Sequence, residues 1–174
     1  MKGRLVANTG PVIALASINR LDILRTFFIS VQVPQAVHDE IMQGGSRFTG
    51  LAAYRRADWL TVVPDTPLDP LLSTILDKGE AAVITLAQAS SADVVLIDES
   101  KARKIARTIY GLRVIGGARV LVEAKRHGML DNVATALQAM REYGYWLDDA
   151  IVQYALREAG EAERRFARLM TTNW

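Results

Sequence analysis

The 174-residue sequence contains no cysteine and only two histidines, His38 and His127. Without cysteine the chain can form neither a disulfide framework nor a thiolate zinc site, and it has no cysteine nucleophile. Two histidines are too few for a histidine-rich metal site, and both lie among polar neighbours in predicted helices. We therefore expect oxygen-based chemistry in a protein of the reducing cytoplasm.

The sequence also lacks a long apolar run and the glycine-rich motifs that bind nucleotides. No stretch reaches the ~18 apolar residues of a membrane span. Asn8, Gly10 and Pro11 interrupt the N-terminal apolar region where a signal peptide needs a continuous helix-forming run, so we expect a mature protein without a membrane segment. The net charge of +2 is too small to indicate nucleic-acid binding by itself.

What is present is an alternation of short apolar runs, rich in Val, Ile and Leu, with helical patterns. This alternation predicts an α/β fold with a central parallel sheet of about five strands and helices on both faces. The predicted strands span residues 4–7, 29–33, 59–63, 93–97 and 112–115. The predicted helices span about 11–18, 20–27, 35–43, 48–56, 69–76, 79–89, 100–110, 117–127, 131–142 and 147–158, with a last one near 160–170.

The length of the chain predicts a single domain, residues 1–174, with a core of about 4–127 and a helical C-terminal appendage of about 128–174. The proline-rich stretch 64–70 follows a strand and is too short for a domain linker, so it is interpreted as a loop. The terminal segment 161–174 has the pattern of an amphipathic helix with aromatic and basic residues. Such a helix could cap the core, self-associate or bind a partner helix.

Polar residues directly follow two of the predicted strands. Asn8 follows the first strand, and Asp98 and Glu99 follow the most hydrophobic one, VVLI. Ligands bind at the carboxyl ends of the strands in open parallel sheets, which makes these residues candidates for a site. Asp98 has a second interpretation as the N-cap of the next helix, with Glu99 favoured by the positive end of that helix dipole.

Two glutamates lie on or beside the buried faces of predicted helices. Glu40 follows Val37 by three residues, and Glu80 precedes Ile84 by four, so each shares a helical face with an apolar residue. A buried carboxylate needs hydrogen bonds, a cation or a metal. One such glutamate could be a helix cap or half of a structural salt bridge. Two of them, with Asp98 at a strand end, indicate a convergent acidic cluster.

Carboxylates without histidine or cysteine are hard oxygen ligands, which suit Mg²⁺ or Mn²⁺ rather than zinc. Such a metal activates water and stabilises the charge that develops on a phosphoryl group. The residues alone therefore indicate metal-dependent phosphodiester hydrolysis as a reaction class.

Four segments resemble those of PIN-domain proteins in their order and spacing: NTGPVIALASINRLDIL, VPQAVHDEIMQGG, LDKGEAAVITLAQ and VLIDESKARKIARTIYGLRVIG. Within that family the chain is most similar to the VapC-like subgroup, whose first motif reads N/D-T/S-G/S-P-L-I-A-L. The similarity covers about residues 4–127 and continues more weakly through 144–156. It implies a Rossmann-like parallel sheet with an acidic pocket that holds Mg²⁺ or Mn²⁺ and cuts single-stranded RNA.

The resemblance also implies roles for individual residues. The catalytic positions of the family fall on Asn8, Glu40, Glu80 and Asp98, and the last three would hold the metal. Glu99 matches a position that is often acidic and is a candidate additional ligand. Thr9 matches the small hydroxyl residue that orients the first motif.

Two departures from the family pattern bear on activity. Most PIN nucleases have aspartate where this chain has Asn8, so the site would carry three formal charges instead of four. We therefore expect weaker metal binding and slow cleavage. The second departure is IGGARV at 115–120, where the subgroup tends to have Gly-Thr, and it puts a hydroxyl contact in doubt.

The helix after Asp98 carries four basic residues: Lys101, Arg103, Lys104 and Arg107. They could hold RNA phosphates beside the scissile bond, or they could form an ordinary solvated helix face. Arg103 matches a recurrent arginine of the family, which favours phosphate binding. Resemblance to VapC-type toxins further implies a homodimer, and an antitoxin whose segment occupies the pocket, often through an arginine.

Two other functions remain open from the sequence. A PIN fold with a degraded site would bind RNA or a protein partner without cutting, and Asn8 is the residue that favours it. A receiver-like signalling domain would need a phosphorylatable aspartate at the end of a central strand, and only Asp98 offers itself.

Overall fold

The computed structural model describes residues 2–45 and 48–161, and it contains a sheet of five parallel strands. The strands are β1 (Arg4–Ala7), β2 (Ser30–Pro34), β3 (Leu60–Val63), β4 (Val94–Leu96) and β5 (Val114–Ile115). All five predicted strands are confirmed, with ends that agree or shift by one or two residues. The predicted α/β fold, with helices on both faces of a parallel sheet, is also confirmed.

The strand order in the sheet is β3-β2-β1-β4-β5. The central strands β1 and β4 are continuous apolar runs, and Leu5–Ala7 and Val94–Leu96 are buried, as expected of strands covered on both faces. From β1 the chain continues to β2 on one side of the sheet, whereas β4 lies on the other side. The order therefore reverses between β1 and β4, and open parallel sheets bind their ligands in a crevice at the carboxyl ends of such strands.

The described residues contain ten helices. They are α1 (Thr9–Ser17), α2 (Asp22–Phe27), α3 (Gln35–Gly44), α4 (Leu51–Arg55), α5 (Pro70–Ile75), α6 (Lys78–Ala89), α7 (Ser100–Thr108), α8 (Gly117–Arg126), α9 (Val133–Glu142) and α10 (Asp149–Glu158). Each corresponds to a predicted helix. The helix predicted near 160–170 lies outside the described residues from position 162 onward. None of these ten helices combines the length and apolar character that crossing a membrane requires.

The described chain forms two compact units that divide between Gly117 and Ala118. The first unit contains the sheet, α1 to α7 and every candidate site residue named above. The second contains α9, α10 and all of α8 beyond its first residue. The expectation of a single domain with a helical appendage stays a prediction.

The second unit contains a buried carboxylate that the sequence analysis did not identify. Glu161 accepts hydrogen bonds from the backbone N–H groups of Val133 and Ala134, at 2.7 and 2.8 Å, and from Lys125 Nζ at 2.6 Å. Burial raises the pKa of Glu161, but these hydrogen bonds outweigh burial and hold the pKa below its usual value. We interpret Glu161 as a structural group that satisfies the first backbone N–H groups of α9.

Gly50 lies where α4 approaches α1, and its backbone has an ordinary φ of −83°. A Cβ on Gly50 would lie 2.6 Å from the backbone carbon of Ala16 and 2.6 Å from the nitrogen of Ser17. Backbone atoms cannot move aside cheaply, so glycine is required here for space.

We expect Gly50→Ala to lower the free energy of unfolding by about 1–3 kcal/mol, because a methyl group would force α4 away from α1. Chemical denaturation measures the change. Gly44→Ala is the control, since Gly44 lies at the end of α3, as Gly50 lies at the start of α4, and a Cβ on Gly44 would make only an ordinary contact, at 3.7 Å from Phe48 Cβ. Equal stability of the two variants would show that the close approach of α4 to α1 is wrong.

Candidate functional site

Asn8 connects β1 to α1 at the edge of the crevice. Its backbone N–H donates to the carbonyl oxygen of Leu96 at 3.0 Å, so the residue continues the pairing of β1 with β4. Asn8 occupies the N-cap position of α1, but its side chain makes no capping hydrogen bond. The third helical residue is Pro11, which has no N–H to donate to such a cap. The carboxamide of Asn8 is therefore available for another role.

Thr9 links the start of α1 to α3. Its buried hydroxyl donates to Glu40 Oε2 at 2.6 Å. Glu40 itself is exposed, so of the two predicted positions, on or beside the buried face of α3, it occupies the second. The buried face of α3 is formed by Ala36, Val37 and Ile41. Glu40 lies at the border of this face, and its carboxylate contacts Thr9.

Three oxygen atoms from different parts of the chain meet above Gly79. A Cβ on Gly79 would lie 3.2 Å from Glu40 Oε2, 3.5 Å from Asp77 Oδ1 and 3.6 Å from Asn8 Oδ1, and these are its three nearest atoms. Asn8 and Glu40 are two of the residues that the sequence indicated for the site, whereas Asp77 and Gly79 were not among them. We call the space that these three oxygens surround the Gly79 space.

The start of α6 is a capping box, formed by Asp77 and Glu80. The backbone N–H of Glu80 donates to Asp77 Oδ1 at 2.8 Å, and that of Asp77 donates to Glu80 Oε2 at 3.4 Å. Asp-x-x-Glu before an apolar run is a readable signal for this arrangement. The sequence allowed one of the two glutamates to be a helix-capping residue, and Glu80 is that residue. Its predicted burial is also confirmed.

The carboxylate of Glu80 lies in a strongly negative environment. Burial is the main cause that raises its pKa, and the nearby charge of Asp77 and the weaker one of Glu99 raise it further. The hydrogen bond from Asp77 and the charge of Lys101 oppose this shift without reversing it. A bound cation would relieve the repulsion among these acids.

Asp98 lies beside the turn that leads from β5 to α8. Its two carboxylate oxygens accept from the backbone N–H of Gly117, at 2.9 and 3.2 Å. Glu99, not Asp98, occupies the N-cap position of α7, and it makes no side-chain capping bond. The interpretation of Asp98 as a helix cap is therefore wrong.

Gly116 leaves room for this arrangement. A Cβ there would lie 2.6 Å from Asp98 Oδ1 and 2.7 Å from Arg103 Nη1. Arg103 also donates from Nη1 to the carbonyl oxygen of Ile97 at 2.7 Å. Gly117 stands where the resemblance leads one to expect threonine, and its backbone N–H holds the carboxylate of Asp98.

The four basic residues of α7 differ in their surroundings. Arg103 bonds Ile97, and Arg107 Nη2 donates to the carbonyl oxygen of Val114 at 3.0 Å, so both guanidinium groups support strand ends. Lys101 and Lys104 are exposed, and Lys101 lies close enough to Glu80 to influence its pKa. Phosphate binding by this helix stays a prediction.

The residues around the Gly79 space fit a hard divalent cation by their chemistry. All three groups supply oxygen, two of them carry negative charge, and buried Glu80 is next to them. Within the described ranges, no three His, Cys, Asp or Glu side chains are arranged so that they could hold a metal together. The convergence here is a mixed one, of two carboxylates and an amide.

Comparison with known proteins identifies one family. A sequence model of the family described as a PIN domain matches residues 4–161, which is more than half of the chain and includes every site residue above. No curated protein matches the chain significantly.

We expect Glu80→Gln to raise the melting temperature of the metal-free protein at pH 7. The pKa of Glu80 is raised in the fold above its usual 4.5. Its contribution to stability is therefore complete below that value and is lost as the pH rises through the higher pKa of the folded state. Glutamine carries no charge and can still accept from the N–H of Asp77.

Thermal denaturation with a chelator between pH 4 and pH 8 tests this expectation. The gain from Glu80→Gln should grow with pH, and the two proteins should approach each other near pH 4. A gain that is the same at every pH would contradict the electrostatic explanation.

Proposed function

The chain belongs to the PIN-domain family, and from this premise we propose that it is a metal-dependent endoribonuclease that hydrolyses phosphodiester bonds in single-stranded RNA. PIN domains are usually nucleases, so nuclease activity in general follows from the family. The single observation that supports the finer proposal is the meeting of Asn8, Glu40 and Asp77 oxygens around the Gly79 space, where β1 ends and α6 begins.

The proposal assigns Mg²⁺ or Mn²⁺ to Glu40, Glu80 and Asp98, with Glu99 as an additional candidate. When bound, such a cation supplies an activated water and offsets the charge that develops on the phosphoryl group. The chain's own residues orient these acids. The hydroxyl of Thr9 holds Glu40, and the backbone N–H of Gly117 holds Asp98.

Asn8 has a different role in the proposal. Its amide oxygen accepts a hydrogen bond from a water at the reaction site, but it contributes no negative charge. The side chain of Asn8 makes no capping hydrogen bond, so the start of α1 does not determine how the amide is oriented.

The proposal assigns contacts with RNA phosphates first to Lys101 and Lys104. Both are exposed, and Lys101 lies near Glu80, so a phosphate bound there would adjoin the acids. Arg103 and Arg107 already donate to backbone carbonyls, and we give them a supporting role in the RNA contact.

We further propose that the protein is a homodimeric toxin of a toxin–antitoxin pair. The resemblance of its first motif to that of VapC-like proteins supports this assignment. An antitoxin that inserts an arginine between the acids would neutralise them and block RNA. Co-purification with the product of an adjacent gene, and a molar mass from light scattering, address the two parts separately.

A binding module without cleavage is the second candidate, and Asn8 is the observation that favours it. Fewer negative charges bind a divalent cation more weakly, while the fold and its basic residues would still bind RNA. The cleavage experiment distinguishes the two functions.

We expect Mn²⁺-dependent cleavage of labelled single-stranded RNA by the wild type, and a loss of more than ~100-fold in Glu40→Gln, because the variant removes a charged donor of the site. Gel electrophoresis of the products measures the rate. Asp39→Asn is the matched control, because Asp39 lies on the same helix and accepts from Gln35 at 2.7 Å, outside the Gly79 space. RNA binding without cleavage by the wild type would support the binding module instead.

We expect Asn8→Asp to bind Mn²⁺ at least ~10-fold more tightly than the wild type, because it adds a negative charge beside two carboxylates. Cleavage should become faster. Calorimetric titration measures the affinity. If Asn8→Asp and the wild type have equal affinity for Mn²⁺ and equal cleavage rates, the missing charge at position 8 does not slow cleavage.

A further inference from the structure

Gly79 is the second residue of α6 and lies in its first turn. Alanine has the higher helix propensity, by up to ~1 kcal/mol in a helix interior. The backbone of Gly79 does not adopt the left-handed conformation that would require glycine. Its surroundings are therefore of interest.

The space beside Gly79 is lined by oxygen. Apart from its chain neighbours and the backbone of its own helix, the three atoms nearest to the position of a Cβ are Glu40 Oε2, Asp77 Oδ1 and Asn8 Oδ1, at 3.2 to 3.6 Å. They come from α3, from the N-cap of α6 and from the end of β1.

Asp77 carries more charge than its capping role needs. It accepts from the N–H of Glu80 at 2.8 Å, a function that Asn or Ser fulfils equally well at an N-cap. Its negative charge lies beside the oxygens of Glu40 and Asn8 around the Gly79 space. A cation bound in that space would use the charge of Asp77 as well as its oxygen.

We propose that the cation site extends into the Gly79 space and that Asp77 is a further oxygen donor of the site, beside Glu40, with the amide oxygen of Asn8 facing the same space. The inference rests on the proposed function for the identity of the cation as Mg²⁺ or Mn²⁺. Gly79 then serves as the residue that leaves the space open, and a methyl group at this position would occupy it.

Two variants test the proposal. Their affinity for Mn²⁺ is measured by electron paramagnetic resonance and by calorimetry. Asp77→Asn retains the N-cap but removes the charge, and its affinity for Mn²⁺ should fall about 10- to 100-fold. Gly79→Ala should lower the affinity about 10-fold or more while the metal-free melting temperature stays equal or rises.

Matched controls separate these effects from changes in folding. Asp148→Asn makes the same substitution at the N-cap of α10, where Asp148 accepts from Ala150 at 2.7 Å. Gly44→Ala makes the second substitution in an open helical position. Both controls should bind Mn²⁺ as the wild type does. If Gly79→Ala fails to fold, Asp77→Asn decides the question alone.

The outcomes separate this inference from the proposed nuclease. Wild-type affinity in both Asp77→Asn and Gly79→Ala, or no Mn²⁺ binding by the wild type at millimolar concentration, overturns the inference. If Glu40→Gln loses RNA cleavage while Asp77→Asn binds Mn²⁺ as the wild type does, the nuclease is supported and the role of Asp77 is contradicted. Weak Mn²⁺ binding by Asp77→Asn in a protein that cuts no RNA would support the site and contradict the nuclease.

Discussion

The parallel pairing of β1 with β4 determines where the candidate site forms. Ala7 pairs with Leu96, and the N–H of Asn8 extends this pairing by one further bond to the carbonyl oxygen of Leu96. The two strand ends thus lie side by side, while their neighbours β2 and β5 lie on opposite sides of the sheet. Asn8 follows the end of β1 and Asp98 comes shortly after the end of β4, while Glu40 and Glu80 lie on the helices after β2 and before β4.

The acids around the Gly79 space are oriented by neutral groups. Thr9 donates a hydroxyl to Glu40, and Asp77 and Glu80 exchange backbone N–H bonds in the capping box. Such bonds fix the direction of a carboxylate but do not cancel its charge, and the pKa of Glu80 is raised first by burial and then by the neighbouring charge of Asp77. The fold therefore holds these oxygens together at a cost to its own stability, which is typical of a functional site.

The strands and the residues that follow them could be predicted from the sequence, because buried parallel strands are continuous apolar runs and their carboxyl ends share one edge. The burial of Glu80 could also be predicted from its spacing to Ile84. The exposure of Glu40 could not, because a residue at the border of a helical stripe can turn either way and Thr9 of another element decides it. The contacts of Asp98 and the space at Gly79 likewise depend on how separate elements approach each other. The spacing of Asp77 and Glu80 predicts a capping box, but a capping box accounts for both residues without a ligand.

The position of Asp77 changes how the amide at position 8 is explained. Judged by the four positions that match the family, the site lacks one negative charge because of Asn8. Judged by the oxygens that meet at Gly79, Asp77 supplies a charge that those four positions do not include. A carboxylate at position 8 would add to Glu40, Asp77 and buried Glu80, and like charges ~4 Å apart repel by several kcal/mol at an intermediate dielectric constant. An amide oxygen keeps the number of donors and avoids that repulsion while no cation is bound. On this argument Asn8 adjusts the charge of the site to the presence of Asp77, and it does not by itself indicate a degraded site.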